Sequence, residues 1–181
     1  MKKAVIAGVL FGAAVISISA QSRPVNLATL VVDSELSREE LDGMLLMREE
    51  EKLARDVYMH LSEVWNLRVF GNIARSEQTH MDRMADLLDA YGIGDPIVAG
   101  GTPGVFTNPV LAGLYEELTA RGERSPQDAL EVGRDIEILD IRDLEGLLEG
   151  TDSDAIHLVY GNLLGGSRNH LAAFERQLSR Y

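Results

Sequence analysis

A glutamate and a histidine interrupt the apolar face of a predicted helix in the segment 72–84, NIARSEQTHMDRM. Glu77 and His80 are three positions apart, so both side chains lie on one side of a helix, among apolar residues at helical spacing. Such a pair can bind a metal ion or form a hydrogen-bonded pair in a core. About one chain in three of this composition would contain the pair by chance, so the rest of the sequence has to decide between these uses.

Acidic residues also fall near the apolar stripe of the segment 47–58, MREEEKLARDVY. Glu51 is in register with the apolar positions before and after it, whereas Glu50 belongs to a slightly rotated set. One of these two carboxylates is therefore predicted to face the core, with Glu51 as the first choice and Glu50 as the alternative. Glu49 is predicted to be solvated. Tyr58 shares the face of Glu51.

The second half of the chain repeats this pattern of polar residues on apolar stripes. Glu137 and Asp140 are one helical turn apart in the segment 132–144, VGRDIEILDIRDL. His170 lies on the inner stripe of the last predicted helix, together with Tyr160 and Ser167. Four carboxylates and two imidazoles are thus predicted to point inward from four segments.

Helices must position these residues, and the sequence predicts four long ones. Ser37 and Glu40 form a capping box before the first helix, and Pro126 after Ser125 suits the first position of the third. The predicted helices are 38–66, 70–91, 126–149 and 154–181, with a short helix at 109–120 inside the long connection 92–124. A hairpin, a long crossover and a second hairpin predict an all-α, ferritin-like four-helix bundle, while other four- or five-helix bundles remain open.

Depth along the helices brings the polar residues together. Two residues that face each other across an antiparallel hairpin are equally far from its turn, and Glu51 and His80 are centred on the first turn, near residues 65–66. Glu137 and His170 are centred on the second turn, near 153–154. The six side chains therefore converge in one buried layer, where unpaired charges would cost several kcal/mol per ion. Metal ions remove that cost, and carboxylate and imidazole ligands suit iron, manganese or zinc.

These segments resemble the ferritin-like di-iron carboxylate superfamily, which places one Glu on each of two helices and Glu-x-x-His on each of the other two. EEKLARDVY (50–58) is similar to its first-helix motif and SEQTH (76–80) to its second. Together with LLDAYGIGDP and GSRNHLAAFERQL, they are closer still to an uncharacterised bacterial and archaeal ferritin-like family known as a domain of unknown function. That resemblance covers about residues 37–178.

The resemblance implies a two-metal site, most typically of iron, with Glu51, Glu77, His80, Glu137, Asp140 and His170 as ligands. This sequence departs from the superfamily motif at one position, because Ser167 stands three residues before His170, where the superfamily has a glutamate. Asp140 would restore the number of carboxylates, since rubrerythrins carry an extra one at this place. A weakly held second metal or a mononuclear site are the alternatives. Tyr58, Tyr160 and Ser167 would then be neighbours of the ligands.

Three uses of this layer remain open. The first is a di-iron or di-manganese oxidase or peroxidase that acts on O2 or peroxide. The second is a non-catalytic, metal-stabilised bundle with a mononuclear or zinc site, and the third is a hydrogen-bonded network without metal. The sequence does not decide whether there is turnover, nor does it indicate an oligomeric state.

The N-terminus predicts export. Lys2 and Lys3 precede an uncharged apolar run that ends in small residues at Ala20, which is typical of a signal peptide at 1–20, with an uncleaved membrane anchor as the alternative. A flexible segment at 21–36 and one metal-binding domain at 37–181 would follow, in the periplasm or outside the cell. The formal charge, −12 for the whole chain, argues against nucleic acid as a partner. With no cysteine, the exported domain would depend on packing or metal for stability.

Overall fold

The protein is all-helical in the residues that the computed structural model describes, which are 27–30, 36–97 and 101–181. No strand occurs within these ranges, and none of their helices is both long and apolar enough to cross a membrane. The predicted signal peptide lies outside them. In the described ranges, a short 3-10 turn at Leu27–Thr29 is followed by five α helices: α1 (Arg38–Trp65), α2 (Arg68–Ala90), α3 (Pro109–Gly122), α4 (Pro126–Glu149) and α5 (Asp154–Leu178).

The helices begin where short polar side chains can accept hydrogen bonds from their first N–H groups. Ser37 accepts from the backbone of Glu40, whose own carboxylate accepts from the Ser37 N–H, so the predicted capping box is present. Ser125 and Ser153 cap α4 and α5 in the same way. Because such signals are local, the predicted bounds of all five helices agree with the observed ones to within three residues.

Two helical hairpins pack against each other. Asn66 adopts a left-handed conformation, with φ of 51°, and joins α1 directly to α2. A short connection near Thr151 joins α4 to α5. The hairpins meet where α1 contacts α4 and α2 contacts α5, while α3, which belongs to the long crossover, packs on α1 and α4. The described residues therefore form a helical bundle with hairpin, crossover and hairpin in that order.

The described residues form an apolar core of two clusters, one on each side of a polar layer. One cluster includes Leu61, Phe70 and Phe174, and the other includes Met44 and Leu163. Between them each long helix contributes polar side chains, from 50–51 on α1, 77–80 on α2, 137–140 on α4 and 167–170 on α5. The fold thus encloses the predicted ligands between two apolar regions.

The crossover is attached to α1 by buried charges. The carboxylate of Glu49 accepts hydrogen bonds from the backbone N–H groups of Thr107 and Asn108, at 2.6 and 3.0 Å. The prediction that Glu49 is solvated was wrong, because the crossover covers it and leaves only 4% of the residue exposed. Lys52, which is fully buried, pairs with Asp56 and donates to a crossover carbonyl. This face of α1 is opposed to crossover backbone rather than to solvent.

Candidate metal centre

The structure brings the six predicted ligands into the polar layer. Glu51 comes from α1, and Glu77 and His80 come from α2. The other hairpin contributes Glu137 and Asp140 from α4, and His170 from α5. All six residues are at most 8% exposed, which is unusual for charged side chains unless they are paired or bind a metal.

Three of these residues form a first group around the His80 ring. Its Nδ1 atom lies 2.8 Å from Oε2 of Glu77 and 3.1 Å from Oε2 of Glu51. Each residue offers one ligand atom, and all these atoms lie within 4.8 Å of one another. Two carboxylates and one imidazole can therefore converge on a single ion.

A second group is arranged around His170. The Nδ1 atom of His170 lies 2.8 Å from Oε1 of Glu77 and 3.6 Å from Oε2 of Glu137. These three residues also offer ligand atoms within 4.8 Å of one another. Glu77 belongs to both groups, with one carboxylate oxygen directed at each histidine. A shared carboxylate of this kind can bridge two cations.

Unpaired polar atoms test whether the residues suit a metal. Among the described residues, Glu51 Oε1, Glu77 Oε1, Asp140 Oδ1 and His170 Nδ1 are all buried without a hydrogen-bond partner. The close approaches of His170 Nδ1 thus lack hydrogen-bond geometry. Buried polar groups normally find partners, and leaving one unpaired costs about 1–3 kcal/mol. Oxygen and nitrogen atoms that face one another without such bonds fit the coordination of one or two cations.

The pKa values of the buried groups reflect the same crowding. Burial raises the pKa of Glu51 and that of Glu137 to about 8, and the pKa of Asp140 well above its usual value. Burial acts on Glu77 in the same direction, but the neighbouring imidazoles outweigh it and lower the pKa to about 2.

The histidines respond in the opposite way to burial. Burial lowers the pKa of an imidazole, yet adjacent carboxylates raise the pKa of His80 to about 11 and that of His170 to about 10. Protons thus balance the carboxylates when no cation is bound. Because metal ligands must be deprotonated, a cation would replace these protons.

The hydroxyl of Ser167 is already hydrogen-bonded and is not directed at either group of ligands. Its hydroxyl donates to Oδ2 of Asp140 at 2.5 Å and lies 2.9 Å from the carbonyl oxygen of Leu163. Asp140 itself belongs to neither group of three, although Glu51, Glu77 and His80 all influence its pKa. Asp140 therefore lies beside the centre, held by the serine that stands where the resemblance expects a glutamate.

The two predicted tyrosine neighbours lie in different places. Tyr58 donates a hydrogen bond to Oε1 of Glu137 at 2.7 Å and packs against Phe70 and Phe174. Tyr160 is buried in the apolar cluster on the far side of the layer, about two helical turns from Ser167. Burial and the carboxylate of Glu40 raise its pKa. The structure therefore places Tyr58 beside Glu137, whereas Tyr160 lies away from both groups.

Replacing Tyr58 with phenylalanine should destabilise the metal-free protein by about 1–2 kcal/mol, because Glu137 loses its hydrogen-bond donor while the ring packing remains. For a chain of this size, the melting temperature should fall by about 2–4 °C per kcal/mol. Thermal melts of chelator-treated protein would measure this change. The matched control is Tyr181→Phe at an exposed position, and an equal effect of the two substitutions would contradict the role of Tyr58.

Glu50, the predicted alternative to Glu51, faces a different way. Glu50 is 8% exposed, and the charges that act on it belong to α4, at Asp143, Asp140 and Arg142. No histidine is among the groups that shift the pKa of Glu50. Glu51 rather than Glu50 thus shares the space around His80.

Two residues at the centre were missed in the sequence analysis. Ser76 lies within hydrogen-bonding distance of Nε2 of His170, at 2.9 Å, so it can fix the ring with Nδ1 toward the carboxylates. Gly166 lies against His80, where a Cβ atom would come within 2.5 Å of the ring. The sequence signal for both was their small size, since Ser76 is next to Glu77 and Gly166 is next to Ser167. Small side chains at such positions permit close contact between helices.

Other polar residues lie outside the centre. Arg168, which is next to Ser167, is exposed and pairs with Glu145. Asn169 is also exposed. His60 pairs with Glu123, and His157 bonds to a backbone carbonyl near the second turn.

Comparisons with known proteins agree on one relationship. A family profile described as "Uncharacterized protein domain (DUF2202)" matches residues 40–181. Uncharacterized protein MJ0754 of Methanocaldococcus jannaschii is 53% identical over 146 residues, which are 81% of this chain and 78% of that protein.

A solved structure extends the comparison to the fold. The crystal structure of hypothetical protein MJ0754 from Methanococcus jannaschii DSM 2661 matches with a TM-score of 0.80 at 51% identity, over 83% of this chain and 86% of that chain. The matched part includes most of the described helices. This chain is therefore similar to that protein in sequence and in overall structure.

Proposed function

Given that the chain belongs to the family described as Uncharacterized protein domain (DUF2202), we propose that it is a metal-binding protein with a two-metal, ferritin-like centre and a redox function. The observation that carries this proposal is the position of Glu77. Its two oxygens lie 2.8 Å from Nδ1 of His80 and 2.8 Å from Nδ1 of His170. A carboxylate between two imidazoles, in a layer enclosed by apolar clusters, has the ligand types and the spacing that a pair of cations requires.

Each residue would have a distinct part in holding the metals. Glu51 and His80 would bind one ion, Glu137 and His170 would bind the other, and Glu77 would bridge them. Iron, or else manganese, is the proposed metal, and a bound pair would supply electron-transfer chemistry toward O2 or peroxide. Tyr58 would orient Glu137, and Ser76 would hold the tautomer of His170.

The ferritin-like assignment is supported by the order of the elements and by the origin of the ligands. Two antiparallel hairpins joined by a long crossover are typical of that fold, and each of the four long helices contributes to the centre. Export, inferred from the predicted signal peptide, would place the reaction outside the cytoplasm, with metal ions and O2 or peroxide as its partners.

A non-catalytic metal-binding bundle is the second candidate, and one observation favours it. Ser167 stands where the resemblance expects a glutamate, and its hydroxyl binds Asp140, which joins neither group of ligands. One position would then have fewer carboxylates than a two-metal redox centre usually has. A single zinc ion at the other position would be enough to stabilise the bundle.

Metal analysis combined with an oxygen assay separates these functions. The purified protein would be stripped with chelator, titrated anaerobically with Fe(II), Mn(II) and Zn(II), and then exposed to O2 or peroxide. Two equivalents of iron or manganese with metal-dependent consumption of the oxidant would support the redox function. One tightly held zinc without consumption would support the second candidate, and the absence of any binding would overturn both.

A further inference from the structure

The carboxylate of Glu50 is buried but lies outside both groups of ligands. The residue is only 8% exposed, and its Oε2 atom has no hydrogen-bond partner among the described residues. Burial of a carboxylate oxygen without a hydrogen-bond donor is unfavourable. Packing alone does not explain a glutamate here, because a leucine would fill the space without that cost.

Two aspartates of α4 face Glu50. Asp143 is the first acidic neighbour that acts on the carboxyl group of Glu50, and Asp140 is the next. Their exposure falls toward the interior, since the Asp143 side chain is 22% exposed whereas Asp140 is 8% exposed as a residue. The acidic side chains between α1 and α4 therefore run from the surface into the polar layer.

Asp140 connects this series to the centre. It lies one turn from Asp143 on α4, and the charges that act on it include Glu51, Glu77 and His80. Its Oδ1 atom is buried without a partner, while Oδ2 accepts from Ser167. One oxygen of Asp140 is thus free to contact a cation beside the first group of ligands.

We propose that Asp143, Glu50 and Asp140 form an access path by which a divalent metal ion reaches the buried centre between α1 and α4. This inference rests on the proposed function, because a path needs a destination. Successive carboxylates would replace the water molecules that the ion loses, so that no step leaves it without oxygen ligands. An acidic lining also raises the local concentration of cations at the outer end.

The geometry distinguishes this path from a storage site. In the described part of the chain, the sets of acidic and histidine ligand atoms close enough to hold an ion are the two around His80 and His170, and Glu50 is in neither. Arg142 pairs with Asp143 at 2.9 Å, but its side chain is 70% exposed. An arriving cation can therefore replace Arg142 as the partner of Asp143, since an exposed ion pair contributes little to stability.

The rate of metal loading tests the path. Chelator-treated wild-type protein and the variants Glu50→Gln and Asp143→Asn would be mixed anaerobically with Co(II), and binding would be followed by absorbance in a stopped-flow instrument. Each variant should load about tenfold more slowly than wild type and reach the same final stoichiometry. Glu117→Gln, which removes a carboxylate from an exposed position on α3, is the matched control and should load at the wild-type rate.

The outcomes separate this inference from the proposed function. Loading of both variants at the wild-type rate would overturn the path and would favour access on the α2–α5 side, where the His80 and His170 side chains are each 10% exposed. A lower final stoichiometry in Glu50→Gln would also overturn it, since Glu50 would then be a ligand. If wild-type protein itself bound no metal, the proposed function would fail, and the path would fail with it because it would have no destination.

Discussion

Replacing Glu77 with alanine should abolish metal binding at both positions, whereas replacing Glu51 or Glu137 should leave one position able to bind. The reason is that Glu77 directs one oxygen to each histidine, while Glu51 approaches only His80 and Glu137 only His170. Loss of a residue that merely supports a ligand typically costs 10–100-fold in affinity. Loss of a shared ligand should therefore cost at least about 100-fold at each position.

Metal stoichiometry after dialysis and isothermal titration with Fe(II) or Mn(II) would measure this result. Glu77→Gln tests the same ligand while keeping the size of the side chain, and circular dichroism would show that each variant is folded. Glu117→Ala, at an exposed position on α3, is the control. Retention of two ions by Glu77→Ala would contradict the shared role, and loss of both ions from Glu51→Ala would contradict the assignment of two separate groups.

The metal-free protein should lose stability as the pH rises, and bound metal should reverse this trend. Glu51 and Glu137 have pKa values raised from 4.5 to about 8 by burial, so above pH 4.5 the folded state holds protons that the unfolded chain has lost. The stability these groups contribute is present below pH 4.5 and is lost as the pH rises through about 8. The raised pKa values of His80 and His170 extend the decline toward pH 10–11.

The contribution of Glu77 to stability depends on pH in the opposite direction, but it changes in a different pH range. Its pKa is lowered from 4.5 to about 2, so its contribution is present above pH 4.5 and is lost only as the pH falls toward 2. Between pH 5 and 9 the other groups therefore determine the trend.

Bound metal has the opposite dependence on pH, because its ligands must be deprotonated. A metal concentration about 1,000 times the dissociation constant adds about 4 kcal/mol to the free energy of unfolding. For a chain of this size, that corresponds to a rise in melting temperature of about 8–16 °C. The increase should be larger at pH 8 than at pH 5.

Calorimetry of chelated and metal-loaded protein between pH 5 and 9 would measure both trends. The double variant Glu51→Gln/Glu137→Gln is the informative control, since its neutral amides should flatten the decline between pH 5 and 8 in the metal-free state. A metal-free melting temperature that rises over this range would contradict the protonation described for the centre. A metal effect that is greatest at pH 5 would show that binding occurs elsewhere.

Much of this architecture could be predicted from the sequence because its signals are local. Helix starts depend on caps such as Ser37 with Glu40, and apolar stripes recur with the period of the helix. Even the pairing of Glu51 with His80, and of Glu137 with His170, followed from equal distance to a turn. Two antiparallel helices joined by a short loop leave little freedom along their axes.

Tertiary packing decided how the helices are rotated and what covers them. Adjacent helical residues differ by about 100° in direction, so a small rotation of α1 determines whether Glu50 or Glu51 faces the histidines. In the structure Glu51 faces His80, while Glu50 faces Asp143 of α4. Glu49 is buried because the crossover, far away in sequence, covers it.

The detailed ligand geometry likewise depends on contacts between different helices. The sequence by itself determined the five described helices and put acidic residues and histidines at one depth, since periodicity, caps and turns are properties of single segments. Only the tertiary structure decided that Glu77 lies between the two histidines and that Ser167 binds Asp140. The physical reason is that a ligand position is set to within a fraction of an ångström by the packing of four helices, which no single segment specifies.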